Sequence, residues 1–389
     1  MQLNSIKYSE FAGEPQEWIL ENLSIGSKTL LVGKNSTGKS RTLSVIHALA
    51  GILSGLQKAT RSAKCESNFE HNGNLYKYEF ECKDGQVTLE RLFINGQVKL
   101  NRYEGGVGEI FAEQLTQELK IEKELKFQTP PSDFAVVSRR DTIQHGFLEP
   151  LHAWGESVRC YHFGLGLGKT NFAIFQPGAP KVNDRDENAV VGLFKAGLDE
   201  FGKVFVNNIK EDMEKVGYEI SEVSVGSQFI FQYAPNVPSA TVGLSVREKG
   251  LDGITDQTSM SAGMYRVLAL LIHVNYLALK SNVSCILIDD IGEGLDFERS
   301  CQIIHLLRHK AEHSRLQIVM STNDRFVMDE VPLEEWAVLQ RYGSKVRVRN
   351  IENSRQAFVD FKFTGLSNFS FFELNVVDGN SEDENSDNA

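Results

Sequence analysis

The chain has 389 residues, 41% of them hydrophobic and 24% charged, with a formal net charge of −11. These are ordinary globular values, with material for one large domain or two smaller ones and an ample core. The acidity argues against binding nucleic acid by bulk electrostatics, which needs clustered Lys and Arg. Five scattered cysteines (Cys65, Cys82, Cys160, Cys285, Cys301) offer neither a disulfide framework nor metal-ligand spacing, and point to reduced thiols in a cytoplasmic protein.

The opening text, MQLNSIKYSEF, lacks a basic region followed by an apolar run, so no secretory signal is expected. Residues 18–32 carry two apolar runs, the second (29–32) short and β-like and ending at a Gly-rich turn. A helix is predicted from residue 39 to about 53, with Leu43, Ile46, His47, Leu49 and Ala50 at i, i+3, i+4 spacing. Between 67 and 102, short alternating runs are punctuated by Asn72-Gly73, Asp84-Gly85 and Asn95-Gly96, the pattern of antiparallel hairpins. Residues 134–138 read as a further strand. Helical periodicity with mixed charge covers 188–216, flanked by the Pro/Gly-bearing stretch 176–180 and by Gly217. Residues 220–246 read as strands with a turn at 235–238. An α/β text then returns, with a helix over 262–280, a strand at 285–288, a helix at 297–313 and a strand at 316–321. The most apolar segment, 267–279, contains His273 and Asn275 and is shorter than the ~20 apolar residues of a membrane span, so it reads as a buried helix. Phe358, Phe361, Phe363, Phe369, Phe371 and Phe372 are expected to pack on the core. Residues 378–389 (DGNSEDENSDNA) read as a disordered, solvated tail.

Chemistry enters at Gly33-Lys34-Asn35-Ser36-Thr37-Gly38-Lys39-Ser40, which matches GxxxxGK[ST] between a predicted strand and a predicted helix. Glycines let such a loop curl so that backbone N–H groups and the helix N-terminus face a β-phosphate. Lys39 would reach the β- and γ-phosphates of ATP and the Ser40 hydroxyl would ligate Mg²⁺; Arg41 is counted with the loop as a nucleotide-binding candidate. The run Cys285 to Asp290 (CILIDD) reads as a buried parallel strand delivering a carboxylate at its C-terminal edge. Asp289 would hold Mg²⁺, and Asp290 would orient and deprotonate the attacking water. Ser261, Ala262 and Gly263 open the 262–280 helix, whose N-terminus can either bind an anion or simply be capped by Ser261.

Taken together, the GKNSTGKS loop, the MSAGMYRVLALL helix and the LIDDIGEGLD segment resemble ABC-type P-loop ATPases of the RecF, SMC and OLD group. The likeness covers roughly residues 1–60 and 255–330. The stretches RRDTIQHGFLEPLHAW and STNDRFVMDEVPLEEW are similar to a bacterial subfamily of stand-alone ATPases that often occur with a separate effector in anti-phage defence loci. The resemblance implies that Ser261 and Gly263 bind the γ-phosphate held by a second copy, and that Asp296 faces that copy, giving a homodimer around two shared ATP sites. Three departures stand out. The usual catalytic Glu is Asp290, with Glu293 as the substitute; misplacement of about 1 Å can cost on the order of 10²-fold in rate, so turnover is expected to be slow. The switch His is replaced by Asn323, which can donate a hydrogen bond but not titrate. The γ-phosphate-sensing Gln is assigned to Gln144, with Arg139, Arg140 and Asp141 competing.

The expected fold is α/β, an ABC-type P-loop sheet with an antiparallel β subdomain and an inserted helical lobe. Residues 1–175 would form the first half of the ATPase domain, 176–250 the inserted lobe, 251–376 the second half and 377–389 the acidic tail. The expected function is an ATP-driven switch acting on a separate effector, with no membrane association. The alternatives are a RecF-like DNA-binding repair ATPase and a non-hydrolysing ATP-dependent scaffold; DNA is not indicated by the charge, Arg341, Lys345, Arg347 and Arg349 being the only diffuse candidates. No acidic cluster on strand ends follows the switch segment, so any nuclease or toxin is expected on another polypeptide.

Overall fold

Five parallel strands form the spine of the protein: Arg159–His162, Cys285–Asp289, Gln317–Ser321, Lys28–Val32 and Trp336–Tyr342, side by side in that order. They belong to a computed structural model that describes residues 1–120, 123–129, 134–175, 181–229, 240–280, 285–313 and 316–376. Three of these strands read KTLLV, CILID and QIVMS, near-continuous apolar runs of the kind a sheet covered on both faces requires. Leu30, Val32, Ile286, Ile288, Ile318 and Met320 face one core, while Leu31, Leu287, Val319 and Leu339 face the other. On the first face lie the helices Ala262–Lys280, Val190–Phe201, Lys203–Lys215 and Phe297–His313. The second is covered by Lys39–Ser54 and Glu149–Ser157.

Beyond Trp336–Tyr342 the pairings are antiparallel except for Lys345–Arg349 with Trp18–Ser24, which is parallel. A hairpin to Lys345–Arg349 leads to Trp18–Ser24, Gln2–Glu10 and then a meander from Ala63–His71 through Asn74–Lys83, Gln86–Ile94, Gln97–Arg102 and Val107–Phe111 to Glu124–Gln128. The three predicted turns are all present. Asn72 and Gly73 (φ 50° and 77°), Asp84 and Gly85 (51° and 76°) and Asn95 and Gly96 (50° and 80°) are left-handed at both central positions. Type I′ hairpins demand this, which is why Asn-Gly and Asp-Gly mark them in sequence.

The helix 262–280 takes its expected bounds and is buried, with His273 and Asn275 among its inward residues. Two readings need correction. Residues 134–138 are not a strand: Val137–Arg139 is a single 3-10 turn. Its backbone N–H groups at Val136 and Val137 donate to the buried Glu90 carboxylate (2.8 and 3.3 Å), and Arg102 donates to the Phe134 carbonyl (2.9 Å). Side chains thus satisfy groups that a sheet ladder would have used. The periodic stretch 188–216 is two helices, Val190–Phe201 and Lys203–Lys215, broken at Gly202 (φ 60°, ψ −135°), a conformation open in practice to glycine alone. Both pack into the core of the Ala262–Lys280 helix, as does Thr241–Glu248 of the small second sheet, which pairs with Ile220–Gly226.

Near the C-terminal end, Phe358, Phe361 and Phe371 pack on one another in the core. Phe363 does not follow them: it lies just past the helix Arg355–Lys362 and is 85% exposed, because the inward face ends with Phe361. The turn expected at 235–238, the flank at 176–180 and the acidic tail lie outside the described residues.

Candidate nucleotide site

The loop leaving Lys28–Val32 is shaped by what its glycines exclude. A Cβ on Gly33 would stand 2.6 Å from Thr37 Oγ1 and 2.8 Å from the Leu339 carbonyl oxygen, so the turn closes only around glycine. Ser36 (φ 67°) and Gly38 (φ 107°) are left-handed, and Thr37 Oγ1 donates to the Lys34 carbonyl (2.9 Å). The helix begins at once with Lys39, so its first N–H groups, which have no partner inside the helix, open toward the loop. Lys39 is 6% exposed; its Nζ donates to the carbonyls of Gly33 (2.6 Å) and Lys34 (3.4 Å). Burial lowers its pKa, and the nearby Asp290 and Asp289 carboxylates act against that shift. Lys34, Asn35, Ser36 and Ser40 are exposed.

The acidic pair sits at the end of Cys285–Asp289, separated from Lys28–Val32 by the strand Gln317–Ser321. Asp289 is buried and accepts a short hydrogen bond from the Ser321 hydroxyl, which in turn accepts from the Asp290 backbone N–H (3.0 Å). Asp290 has φ 53°, a left-handed conformation uncommon for residues other than glycine, although Asp and Asn adopt it more readily than most. Asn323 Nδ2 donates to its Oδ1 (3.2 Å). Burial, then the like charge of Asp289, raises the Asp290 pKa, with Lys39 opposing and Glu293 adding to it. A carboxylate so raised is a better proton acceptor near neutral pH.

At the start of Ala262–Lys280 the Ser261 hydroxyl accepts from the Met264 N–H (3.2 Å), so Ser261 caps the helix. A Cβ on Gly263 would lie 3.1 Å from Leu295 Cδ2 and 3.3 Å from the Gly294 carbonyl, so this tip packs closely on the segment that follows Asp290. Arg266, one turn in, binds the carbonyls of Glu293 (2.7 Å) and Gly164 (3.0 Å). Ser261 and Asp296 are both exposed, and Asp296 accepts from the Arg299 N–H (3.0 Å) at the head of the next helix.

Two nominated residues are held elsewhere. Arg41 pairs with Glu10 (Nε to Oε1, 2.9 Å) and lies 4.6 Å from the Trp18 ring, anchored on the first two strands. Gln144 is bonded to the helix Glu113–Leu119: its Oε1 accepts from the Leu115 N–H and its Nε2 donates to Gln114 (both 3.4 Å). The structure instead brings His162 to the acidic edge, in register with Asp289. The hydrogen bond that its ring donates to the Glu187 carboxylate raises the His162 pKa against its burial, and Asp289 and Asp290 add to the rise. Its strand, RCYH, is too short for any periodicity, and no motif marks it. Arg341, which donates to the Ser36 carbonyl (3.3 Å), was read only as part of a diffuse basic run.

No family model matches the sequence, and no curated protein matches it. Among solved structures the chain is similar to an SMC head bound to the C-winged helix domain of ScpA, with a TM-score of 0.54 at 13% identity over 90% of this chain and 99% of that one. An SMC head domain from Thermotoga maritima matches with a TM-score of 0.44 at 14% identity, over 90% and 99% of the two chains. An Smc head domain with an extended coiled coil, bound to the C-terminal domain of ScpA derived from Pyrococcus furiosus, matches at 0.49 and 11%, over 93% and 99%. Identities this low bear on architecture alone, and the first match carries that weight. With the GKNSTGKS loop and the CILID strand end meeting at one sheet edge, the chain has the α/β, ABC-type P-loop fold of an SMC head domain.

Proposed function

We propose that the chain binds ATP with Mg²⁺ and hydrolyses it slowly, that two copies close around two nucleotides, and that closure switches a separate effector protein, as in stand-alone ATPases of anti-phage defence loci. The observation that carries this reading is the glycine loop closed around Lys39 Nζ at the C-terminal edge of the same parallel sheet that ends in Asp289 and Asp290, whose carboxylates act on the Lys39 charge. A triphosphate there would replace the carbonyls of Gly33 and Lys34 as the partner of Lys39 Nζ, giving a stronger, charge-assisted contact.

A buried strand-end carboxylate beside a helix-start hydroxyl is the donor set of a nucleotide-borne magnesium site, which completes its shell with phosphate oxygens and water. Asp289 and Ser40 would hold Mg²⁺ here, and the ion would neutralise charge on the phosphates. Asp290, held by Asn323, takes a proton from water as that water bonds to the γ-phosphorus and the bond to the β-phosphate oxygen breaks. Its side chain is one methylene shorter than Glu, which fits a slow switch better than a fast engine.

Ser261 and Asp296 lie exposed on one connected surface, because Gly263 packs against Gly294. In the dimer this surface meets the γ-phosphate of the second copy, which makes closure depend on a contact that ADP cannot provide. That an SMC head of this fold is seen with a domain of ScpA bound supports action through a separate partner.

Gel filtration with light scattering tests the scheme. Asp290→Ala with ATP is expected to run as a stable dimer and to release no phosphate, while Lys39→Ala stays monomeric. A monomeric Asp290→Ala at saturating ATP overturns the dimer; wild-type protein that dimerises but releases no phosphate turns the switch into a scaffold.

A further inference from the structure

The strand Arg159–His162 stands next to the strand of Asp289, with His162 and Asp289 in parallel register. Ligands of open parallel sheets gather outside the C-terminal ends of the strands. The chain leaving His162 passes close to Asp290: a Cβ on Gly164 would stand 3.4 Å from Asp290 Cβ.

Glu187 grips His162 at two points. One carboxylate oxygen is 2.8 Å from the ring Nδ1 and the other accepts the backbone N–H at 2.6 Å. The Glu187 carbonyl, in turn, is 3.1 Å from Nε2 of the buried His273, on the helix that Ser261 caps. One residue is therefore bonded both to a side chain at the nucleotide edge and to the helix that faces the second copy. An imidazole clamped at Nδ1 has Nε2 left, and beside a phosphate oxygen that nitrogen donates.

We propose that Glu187 is a positioning residue that sets His162 against the terminal phosphate of ATP and, through His273, ties that contact to the helix carrying Ser261. This inference rests on the nucleotide-site reading above. His162 takes the terminal-phosphate role that the sequence had offered to Gln144. Because Glu187 lies between His162 and His273, arrival or loss of the γ-phosphate is felt along the Ala262–Lys280 helix.

The test is the affinity of each protein for ATP and for ADP, with magnesium, by calorimetry. His162→Ala and Glu187→Ala are each expected to lower the preference for ATP over ADP by about tenfold, the loss of one charge-assisted hydrogen bond, with ADP affinity unchanged. His162→Gln keeps a donor of similar reach and is expected to retain most of the preference. The double variant is expected to lose no more than either single one, because the two residues act as a unit. Unchanged ADP affinity shows that each variant is folded, a control that a merely structural role would not pass. A wild-type preference in His162→Ala, or additive losses in the double variant, overturns this inference and leaves the nucleotide site standing. Wild-type protein that binds neither nucleotide overturns both.

Discussion

Glu90 is fully buried, and what it binds explains a turn. Its carboxylate accepts from the Tyr78 hydroxyl (3.0 Å), from the N–H groups of Val136 and Val137, and from Arg102, itself buried, at 3.5 Å. Burial raises its pKa, and these donors pull it back toward the ionised form. Glu90→Ala would strand the Arg102 charge and leave two backbone donors without partners. Breaking a buried pair in this way costs about 3–5 kcal/mol, measurable by urea denaturation. A loss below about 1 kcal/mol would show that the 134–139 segment is held by something else. At this scale the glycine loop was legible from eight consecutive residues, since each answers to a local need of the backbone or the phosphate. The Glu90 carboxylate was not, because an acidic residue in a hairpin strand looks the same whether its partner is water or a buried arginine.

Elements were legible where their own spacing encodes them. Helices 262–280 and 297–313 and the three type I′ hairpins took the places that periodicity and turn residues assign. The pair Val190–Phe201 and Lys203–Lys215 shows the limit: the hydrophobic period runs through both, and only the backbone at Gly202 separates them. No heavy atom lies within 4 Å of a Cβ built on Gly202, so Gly202→Ala would be penalised by backbone strain alone. The expected loss is about 1–2 kcal/mol in chemical denaturation. A gain in stability would mean instead that the two helices fuse into one. The strand Arg159–His162 had no signal of its own; it is a strand because Cys285–Asp289 lies beside it.

For the molecule as a whole, the seam between the Ala262–Lys280 helix and the parallel sheet carries a titratable group. His273 is enclosed there, its ring centroid 4.7 Å from that of Tyr161, and burial drives its pKa down from 6.5 to about 4. The unfolded chain therefore binds a proton that the folded chain refuses. The stability contributed by the neutral ring is whole above pH 6.5 and is lost as the pH falls through about 4. His273→Gln keeps a donor for the Glu187 carbonyl and removes the titration. Its melting temperature should fall less steeply than that of wild type between pH 6.5 and 4, and parallel curves would remove His273 as the acid-sensitive group.

By itself the sequence determined the loop from Gly33 to Ser40, the acid pair at the end of an apolar strand, the capped helix at Ser261 and the hairpins of the antiparallel sheet. All are written in neighbouring residues, whose interactions reach across a few positions of chain. Only the tertiary structure decided which strand stands beside Asp289, that Arg41 turns to Glu10 and Gln144 to another helix, and that Glu187 joins His162 to His273. Sheet neighbours and buried polar pairs bring together groups far apart in the chain, and such pairings leave no period, spacing or turn residue by which to read them in advance.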